Sequence, residues 1–379
     1  MSNKKYFLNR QYELVKELNT GGMSSGIFCV KKTDDLSENP SLFIVKEIKR
    51  KDDKSADVTW EKAKDELKLT LALSSRLKNN FVAYPVDYQL EENKITIITE
   101  YVDGTTLGEH LKKKTLLNPS VAIEYIKQII EGLKGFHFYS DKRSIIHRDL
   151  KIENIMITND FEQIKIIDYG ISTFTYNNVL QSNEEAIYCS VPYSSPDVLN
   201  TREHIKNLKK GVAGADKKLV DTITFQFDIH SIGVILYQIL TGSLPMKYKT
   251  DMNDLQKISM WLNYDVPPMN SNIPTIPNSI ENIFFRCTAS KPDELKFRYK
   301  DINELYADIL TWDVANRFDE ELLKPLSNRK YVTNSNIDLS NINEEKSFIK
   351  SKNSMFIIIG FITTFIIAIA IIISVMGSI

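Results

Sequence analysis

Between Ile145 and Ile157 the sequence reads IIHRDLKIENIMI, and its polar residues are an unusual set. Asp149 can take a proton from a hydroxyl group, and Lys151 can neutralise a phosphoryl oxygen. Asn154 can offer an amide oxygen to Mg²⁺. The flanking runs Ile145-Ile146 and Ile155-Met156-Ile157 are short and β-branched, as buried strands are, so the polar island between them is expected to be a loop held by the core at both ends. On this stretch alone, a charged surface loop between two strands is the competing explanation.

Further positions could serve the same chemistry. Residues 11–30 read QYELVKELNTGGMSSGIFCV, two apolar runs around a Gly/Ser/Thr-rich turn, which predicts a hairpin with a tip rich in free backbone N–H groups. Gly21, Gly22 and Gly26 would let that tip approach phosphates closely. The run LFIVKEI, residues 42–48, is an apolar strand carrying Lys46, a charge that is costly in such a place unless paired. Residues 163–170 read QIKIIDYG, and Asp168 follows a strand and precedes an aromatic residue and a glycine, where an Asp-x-Gly turn is the plainer reading.

Taken in order, these stretches resemble the protein-kinase family. HRDLKIEN is similar to its catalytic loop, Asp168-Tyr169-Gly170 to its D-F-G motif with Tyr for Phe, and Gly21-Gly22-Met23 to the glycine loop of bacterial serine/threonine kinases. Asn19 stands where a first glycine is usual, and an additional residue, Ser25 or Gly26, precedes Ile27. Ser194-Ser195-Pro196-Asp197 resembles A-P-E with Asp for Glu, and DIHSIGVILYQILTG resembles the family's central helix.

The resemblance implies roles for these positions. Lys46 would contact the α- and β-phosphates of ATP and pair with a helix glutamate, Glu66, with Glu61 as the alternative. Ile44, in place of the usual small residue, would make the adenine roof bulkier. Leu18, Asn19, Thr20, Gly21, Gly22, Met23, Ser24, Ser25, Gly26 and Ile27 would cover the nucleotide, Met156 and Ile167 would form its floor, and Thr99 would be the gatekeeper. The backbone of Glu100 and Val102 would bond the adenine edge. Asp149, Lys151, Lys46 and Glu66 would then be the catalytic group, and Asn154 and Asp168 would hold Mg²⁺, with Mn²⁺ as a substitute. Ser190 would bond Asp149 and Lys151, Asp228 would cap the catalytic-loop backbone, and Arg298 would pair with Asp197. Arg148 before Asp149 is the arrangement of kinases whose activation segment, here 171–197, is ordered by phosphorylation. Lys151 favours serine or threonine over tyrosine as acceptor.

Several elements must position these groups. Lys94–Tyr101 alternates as a strand, and Val121–Phe138 has the apolar spacing of a core helix. Leu69, Leu73 and Leu77 mark a helix that carries Glu66. Residues 198–226 hold Arg202, Lys206, Lys209, Lys210, Lys217 and Lys218, which reads as a solvated loop, with a docking patch for a partner or membrane as the other reading.

The bulk numbers agree with such an organisation. The chain has 379 residues, too long for one ordinary domain, with 42% hydrophobic and 26% charged residues. A net charge of −1 without a long basic run gives no footprint for nucleic acid. Cys29, Cys189 and Cys287 are odd in number and far apart, which suits a reducing compartment rather than a disulfide framework. The N-terminus lacks the apolar stretch of a signal peptide.

Residues 355–376 read MFIIIGFITTFIIAIAIIISVM, without one charge and long enough for a bilayer, which needs about 20 residues. Lys346, Lys350 and Lys352 precede this run and only Gly377, Ser378 and Ile379 follow, so the positive-inside rule places the upstream chain in the cytoplasm.

The expected fold is α+β: a bilobal kinase domain with a small β-rich lobe and a mostly helical lobe over residues 12–314. A polar juxtamembrane linker over 315–354 and one transmembrane helix over 355–376 complete it. The expected function is a tail-anchored membrane serine/threonine kinase using ATP and Mg²⁺. Its partners would be protein substrates, the bilayer and a second copy for autophosphorylation, with no nucleic acid. The competing hypothesis is a membrane-tethered pseudokinase scaffold, suggested by Tyr169, Asp197, Asn19 and the irregular glycine loop.

Overall fold

A computed structural model describes residues 5–18, 26–49, 79–113, 116–138, 143–147, 149–168, 173–176, 190–196, 225–271 and 275–314, together with residue 273 and the helical positions 64, 67, 68, 71, 72 and 77. Asn19–Ser25, Glu61, Glu66, Arg148, Tyr169, Asp197 and the 315–354 and 355–376 segments lie outside the described residues. Among the described residues no helix is long and apolar enough to cross a membrane.

Alternation builds the first lobe. Strands β1 (Tyr6–Phe7), β2 (Tyr12–Leu18), β3 (Gly26–Lys32), β4 (Leu42–Lys49), β5 (Pro85–Leu90) and β6 (Lys94–Glu100) form an antiparallel sheet in the order β1-β2-β3-β4-β6-β5. Successive side chains point to opposite faces. Phe28, Val30, Val45 and Ile98 therefore share one face with Tyr12, which Phe7 and Leu8 cover. Ile27, Ile44, Lys46, Ile97 and Thr99 share the other. Leu67 packs with Ile95 and Ile97 on this second face, flanked by Leu71 and Ile48. The buried stripe of that helical stretch thus includes Leu67 and Leu71, not only the expected Leu69-Leu73-Leu77 series; Leu69 and Leu73 are outside the described residues, and Leu77 packs on the helical lobe.

The second lobe is helical. The helices α1 (Leu107–Lys112), α2 (Pro119–His137), α3 (Gln226–Thr241), α4 (Asp254–Asn263), α5 (Asn278–Thr288) and α6 (Ile302–Leu310) share one core. Asn118 caps α2 by accepting the Val121 N–H at 3.0 Å, with Pro119 opening the helix, a combination that starts helices well. Helix α3 is buried along nearly its whole length. It packs so closely on α5 that a Cβ at Gly233 would stand 2.6 Å from the Cβ of Cys287, so glycine is required there. Strands β7 (Gly104–Thr106), β9 (Ile155–Thr158) and β10 (Ile164–Ile166) make a small sheet in the order β10-β9-β7, and β8 (Arg143–Ile146) pairs with β11 (Thr173–Tyr176).

Candidate active site

The loop from His147 to Asn154 hangs between β8 and β9, as its flanking residues predict. Ile145, Ile146, Ile155 and Ile157 are buried, and so are Leu150 and Ile152 within the loop. With 150 and 152 turned inward, Asp149 and Lys151 are turned toward the cleft. A short 3₁₀ turn over Ile152–Asn154 then brings Asn154 back beside Asp149.

The result is a dense hydrogen-bonded group. The Ser190 hydroxyl donates to Asp149 Oδ1 at 2.8 Å, and Lys151 Nζ donates to Asp149 Oδ2 at 2.8 Å and to Ser190 Oγ at 3.1 Å. Asn154 Nδ2 donates to the Asp149 backbone oxygen at 2.8 Å and to its Oδ2 at 3.1 Å. Ser190 is held in turn by the segment that follows it. The Tyr193 carbonyl accepts the Ser231 hydroxyl at 2.8 Å and lies 3.1 Å from His230 Nδ1, while the Tyr193 hydroxyl donates to Gln238 at 2.6 Å, all three partners being on α3. Arg298 Nη2 donates to Ser195 Oγ at 2.7 Å; its expected partner Asp197 is outside the described residues.

Below the loop, Asp228 is fully buried. Its Oδ2 accepts the His147 backbone N–H and lies against His137 Nε2, each at 2.8 Å. Burial opposes the Asp228 charge, but the His137 hydrogen bond, the two histidines and the His147 N–H outweigh it and hold the carboxyl below its ordinary range. An ionised acceptor makes His137 Nε2 the donor. Burial also pushes the His147 imidazole down, against the pull of Asp228 and Asp149, so that ring is neutral at pH 7. Sequence reasoning placed Asp228 under the loop but missed His137, whose only signal was a histidine ending an apolar helix.

On the sheet side, Lys46 Nζ bonds both carboxylate oxygens of Asp168, at 2.6 and 2.7 Å. The sequence reading paired Lys46 with Glu66, which is not among the described residues. Asp168 has φ 64°, a left-handed conformation that costs a non-glycine residue about 1–2 kcal/mol. Neighbouring bonds hold it in place: Ile167 N–H donates to the Asn154 carbonyl at 2.9 Å and Ile166 N–H to the Phe81 carbonyl at 2.8 Å. This conformation aims the Asp168 carboxylate at Lys46.

The strand register places the residues expected to enclose a nucleotide. Leu18 is paired with Ile27, and Ile44 with Thr99, on the sheet face that carries Lys46. Met156 is the second residue of β9, Ile167 directly follows β10, and Val102 is buried beyond β6. Lys165 of β10 forms an ion pair with Glu100. That contact was missed, although a lysine between Ile164 and Ile166 was a visible interruption of an apolar strand.

The donor set fits a hard divalent cation. Asn154 spends its Nδ2 on Asp149, which leaves the amide oxygen as its remaining polar atom, and Asp168 supplies a carboxylate. Among the described residues no cluster of three or more His, Cys, Asp and Glu could hold a metal, and Mg²⁺ commonly takes only one or two protein ligands beside phosphate and water.

Comparison with known proteins agrees with this geometry. Residues 12–332 match the family described as Protein kinase domain. A protein of Mycoplasma genitalium assigned as a serine/threonine-protein kinase is 31% identical over 341 residues, covering 85% of this chain and 84% of its own. A Mycoplasma pneumoniae protein of the same assignment is 30% identical over the same shares. The serine/threonine-protein kinase PrkC of Bacillus subtilis is 29% identical over 231 residues, 61% of this chain and 31% of PrkC. With its bilobal fold and its match over most of its length, the chain belongs to the protein kinase family and is an ATP-dependent protein serine/threonine kinase.

Proposed function

We propose that Asp149 receives or orients the proton of a protein Ser/Thr hydroxyl while the γ-phosphoryl group of ATP passes to that oxygen. The observation that carries this reading is the Ser190 hydroxyl bridging Asp149 Oδ1 and Lys151 Nζ, at 2.8 and 3.1 Å. An acceptor hydroxyl has the same donor and acceptor capacity, so the pair that holds Ser190 can also hold a substrate oxygen. Lys151 offsets negative charge developing on the transferred group, and Asn154 keeps the Asp149 carboxylate turned toward it.

Lys46 and Asp168 serve the phosphate side. Asn154 Oδ1 and Asp168 are the groups that would hold Mg²⁺ or Mn²⁺, and the cation, when bound, neutralises the β- and γ-phosphoryl oxygens. Both oxygens of Asp168 accept from Lys46, and each keeps a lone pair, so the same carboxylate can serve Lys46 and a cation together. The turn from Leu18 to Ile27, with its Gly-Gly-Met sequence, would cover those phosphates. Ile44, Thr99, Met156 and Ile167 would enclose the adenine, with the Glu100 and Val102 backbones at its edge and Glu66 as a second partner for Lys46.

The reading extends to location. An uncharged run over 355–376, preceded by Lys346, Lys350 and Lys352, supports a single-pass anchor with the kinase on the cytoplasmic side and residues 315–354 as a tether. Copies held in one bilayer meet often, which favours autophosphorylation between Ile171 and Tyr193.

The test is incorporation of labelled phosphate from ATP and Mg²⁺ by the full chain, with Asp149→Asn and Asp168→Ala beside it. Both variants are expected to fall by at least about a hundredfold. Equal label in all three would overturn the assignment of these residues. Phosphopeptides confined to 315–354 would overturn autophosphorylation between Ile171 and Tyr193.

A further inference from the structure

We infer that Lys165 is a positioning residue of the nucleotide pocket, acting through Glu100 on the segment that joins the two lobes. The inference rests on the ATP-site reading above. Ile155, Ile157, Ile164 and Ile166 of β9 and β10 are all fully or almost fully buried. Alternation along a strand then turns Met156 and Lys165 to the opposite face, and these two are direct cross-strand partners. Lys165 therefore runs alongside a residue of the pocket floor.

Its ammonium ends on the Glu100 carboxylate, at the last residue of β6. The Lys165 side chain is 18% exposed and that of Glu100 42%, so the pair is partly shielded from bulk water. Uncharged bonds tie the same two pieces of chain together. Ala83 N–H donates to the Ile166 carbonyl at 2.9 Å, and Glu100 N–H to the Tyr84 carbonyl at 3.3 Å. Thus β10, the end of β6 and the 81–84 stretch form one clamp, to which Lys165 adds a charged tie. Two consequences follow. The distance between the pocket floor and the joining segment is set by this tie, and the lysine presents methylenes rather than an uncompensated charge to a bound purine.

Replacing Lys165 by Met keeps the stem and removes the charge. A half-screened ion pair of this kind corresponds to about a two- to fivefold change in ATP affinity. Because the pair touches no transferring atom, the change is expected in KM and the ATP dissociation constant more than in kcat.

The experiment titrates ATP with Mg²⁺ into the full chain in detergent and measures KM and kcat with casein as acceptor. It compares wild type, Lys165→Met, Glu100→Gln and the exchanged pair Lys165→Glu with Glu100→Lys, using Lys257→Met of the surface pair with Asp254 as control. Both single variants are expected to bind ATP about two- to fivefold more weakly, with the exchanged pair returning most of the way to wild type and the control unmoved. Thermal unfolding is followed alongside. Lys165→Met binding within about twofold of wild type would overturn the inference, as would weak binding that follows lost thermal stability and is not recovered by the exchange. Absence of ATP binding by folded wild type would instead overturn the pocket reading beneath it.

Discussion

Asp228→Ala tests how the catalytic loop is held. The carboxylate is buried, and one of its oxygens serves both the His147 backbone N–H and His137 Nε2 at 2.8 Å. Truncation removes that acceptor and leaves two donors in a dry environment. Each buried donor without a partner costs about 1–3 kcal/mol, and breaking a buried charged network costs about 3–5 kcal/mol in total. That is a large part of the roughly 5–15 kcal/mol that holds a folded domain. Asp228→Asn keeps one oxygen for both donors, so its cost is about 1–2 kcal/mol, the difference between charged and neutral hydrogen bonds. Urea unfolding read by tryptophan fluorescence measures both values, and labelled-phosphate transfer reports whether Asp149, two residues from His147, stays in place. The kcat of Asp228→Ala is expected to fall with its stability, because the loop loses its anchor from below. A pH scan adds a sign. The folded Asp228 pKa is lowered, so its stabilisation is present above the unfolded value of about 3.9 and is lost as pH falls further. The Ala variant must therefore lose less stability than wild type on acidification below about pH 4. A loss under about 1 kcal/mol in Asp228→Ala, or equal losses in Ala and Asn, would refute the reasoning.

Two further outcomes follow from other parts of the structure. Burial lowers the folded His147 pKa below the unfolded value of about 6.5, so wild type loses stability as pH falls below that value, by at most about 1.4 kcal/mol per pH unit. His147→Phe, which keeps the backbone N–H to Asp228, should flatten the unfolding midpoint between pH 6.5 and 5; an unchanged slope would assign the acid sensitivity elsewhere. At Gly26 a Cβ would stand 2.4 Å from the Phe28 ring, which is itself pressed by Phe7 at 5.1 Å and by the Lys5 ammonium at 3.6 Å. Gly26→Ala is expected to cost about 1–3 kcal/mol by overpacking, and Phe28→Leu in the same chain should recover part of it; an additive loss in the double variant would count against the clash.

What the sequence made legible divides by range. Asp149, Lys151 and Asn154 lie within one short loop, so chain geometry alone brings them together, and the β-branched runs on either side announce the strands that hold it. Asp168 was legible for the same local reason. The contact of Lys46 with Asp168 was less so, because a lysine in an apolar strand calls for a carboxylate without naming every one that the fold delivers, and Glu66, the expected partner, lies outside the described residues. Lys165 and Glu100 are 65 residues apart, and neither belongs to a motif that would tie them. The first strand was hidden too. Tyr6–Phe7 is too short for periodicity, and Leu8, Asn9 and Arg10 turn back with φ of 44°, 51° and 70°, without a glycine to mark the turn. The match to the family begins at residue 12, yet Phe7 and Leu8 are buried in the sheet's outer core.

The two carboxylates of the site are held in different ways, and this separates two kinds of control. Every described partner of Asp149 comes from the helical lobe: Lys151 and Asn154 from its own loop, and Ser190 from a segment anchored on α3. Asp168 is bonded across the cleft to Lys46 of β4, and Lys165, on the strand that leads to it, is bonded to the end of β6. A shift of one lobe against the other therefore leaves the hydroxyl-handling group intact and moves the phosphate-handling group. Influences that act on the sheet would thus register first in nucleotide affinity and metal dependence. Those that act on Ser190 and the segment after it would register first in the proton-handling step. The Lys165 and Asp228 variants lie on opposite sides of this division, so KM for ATP and kcat should separate between them.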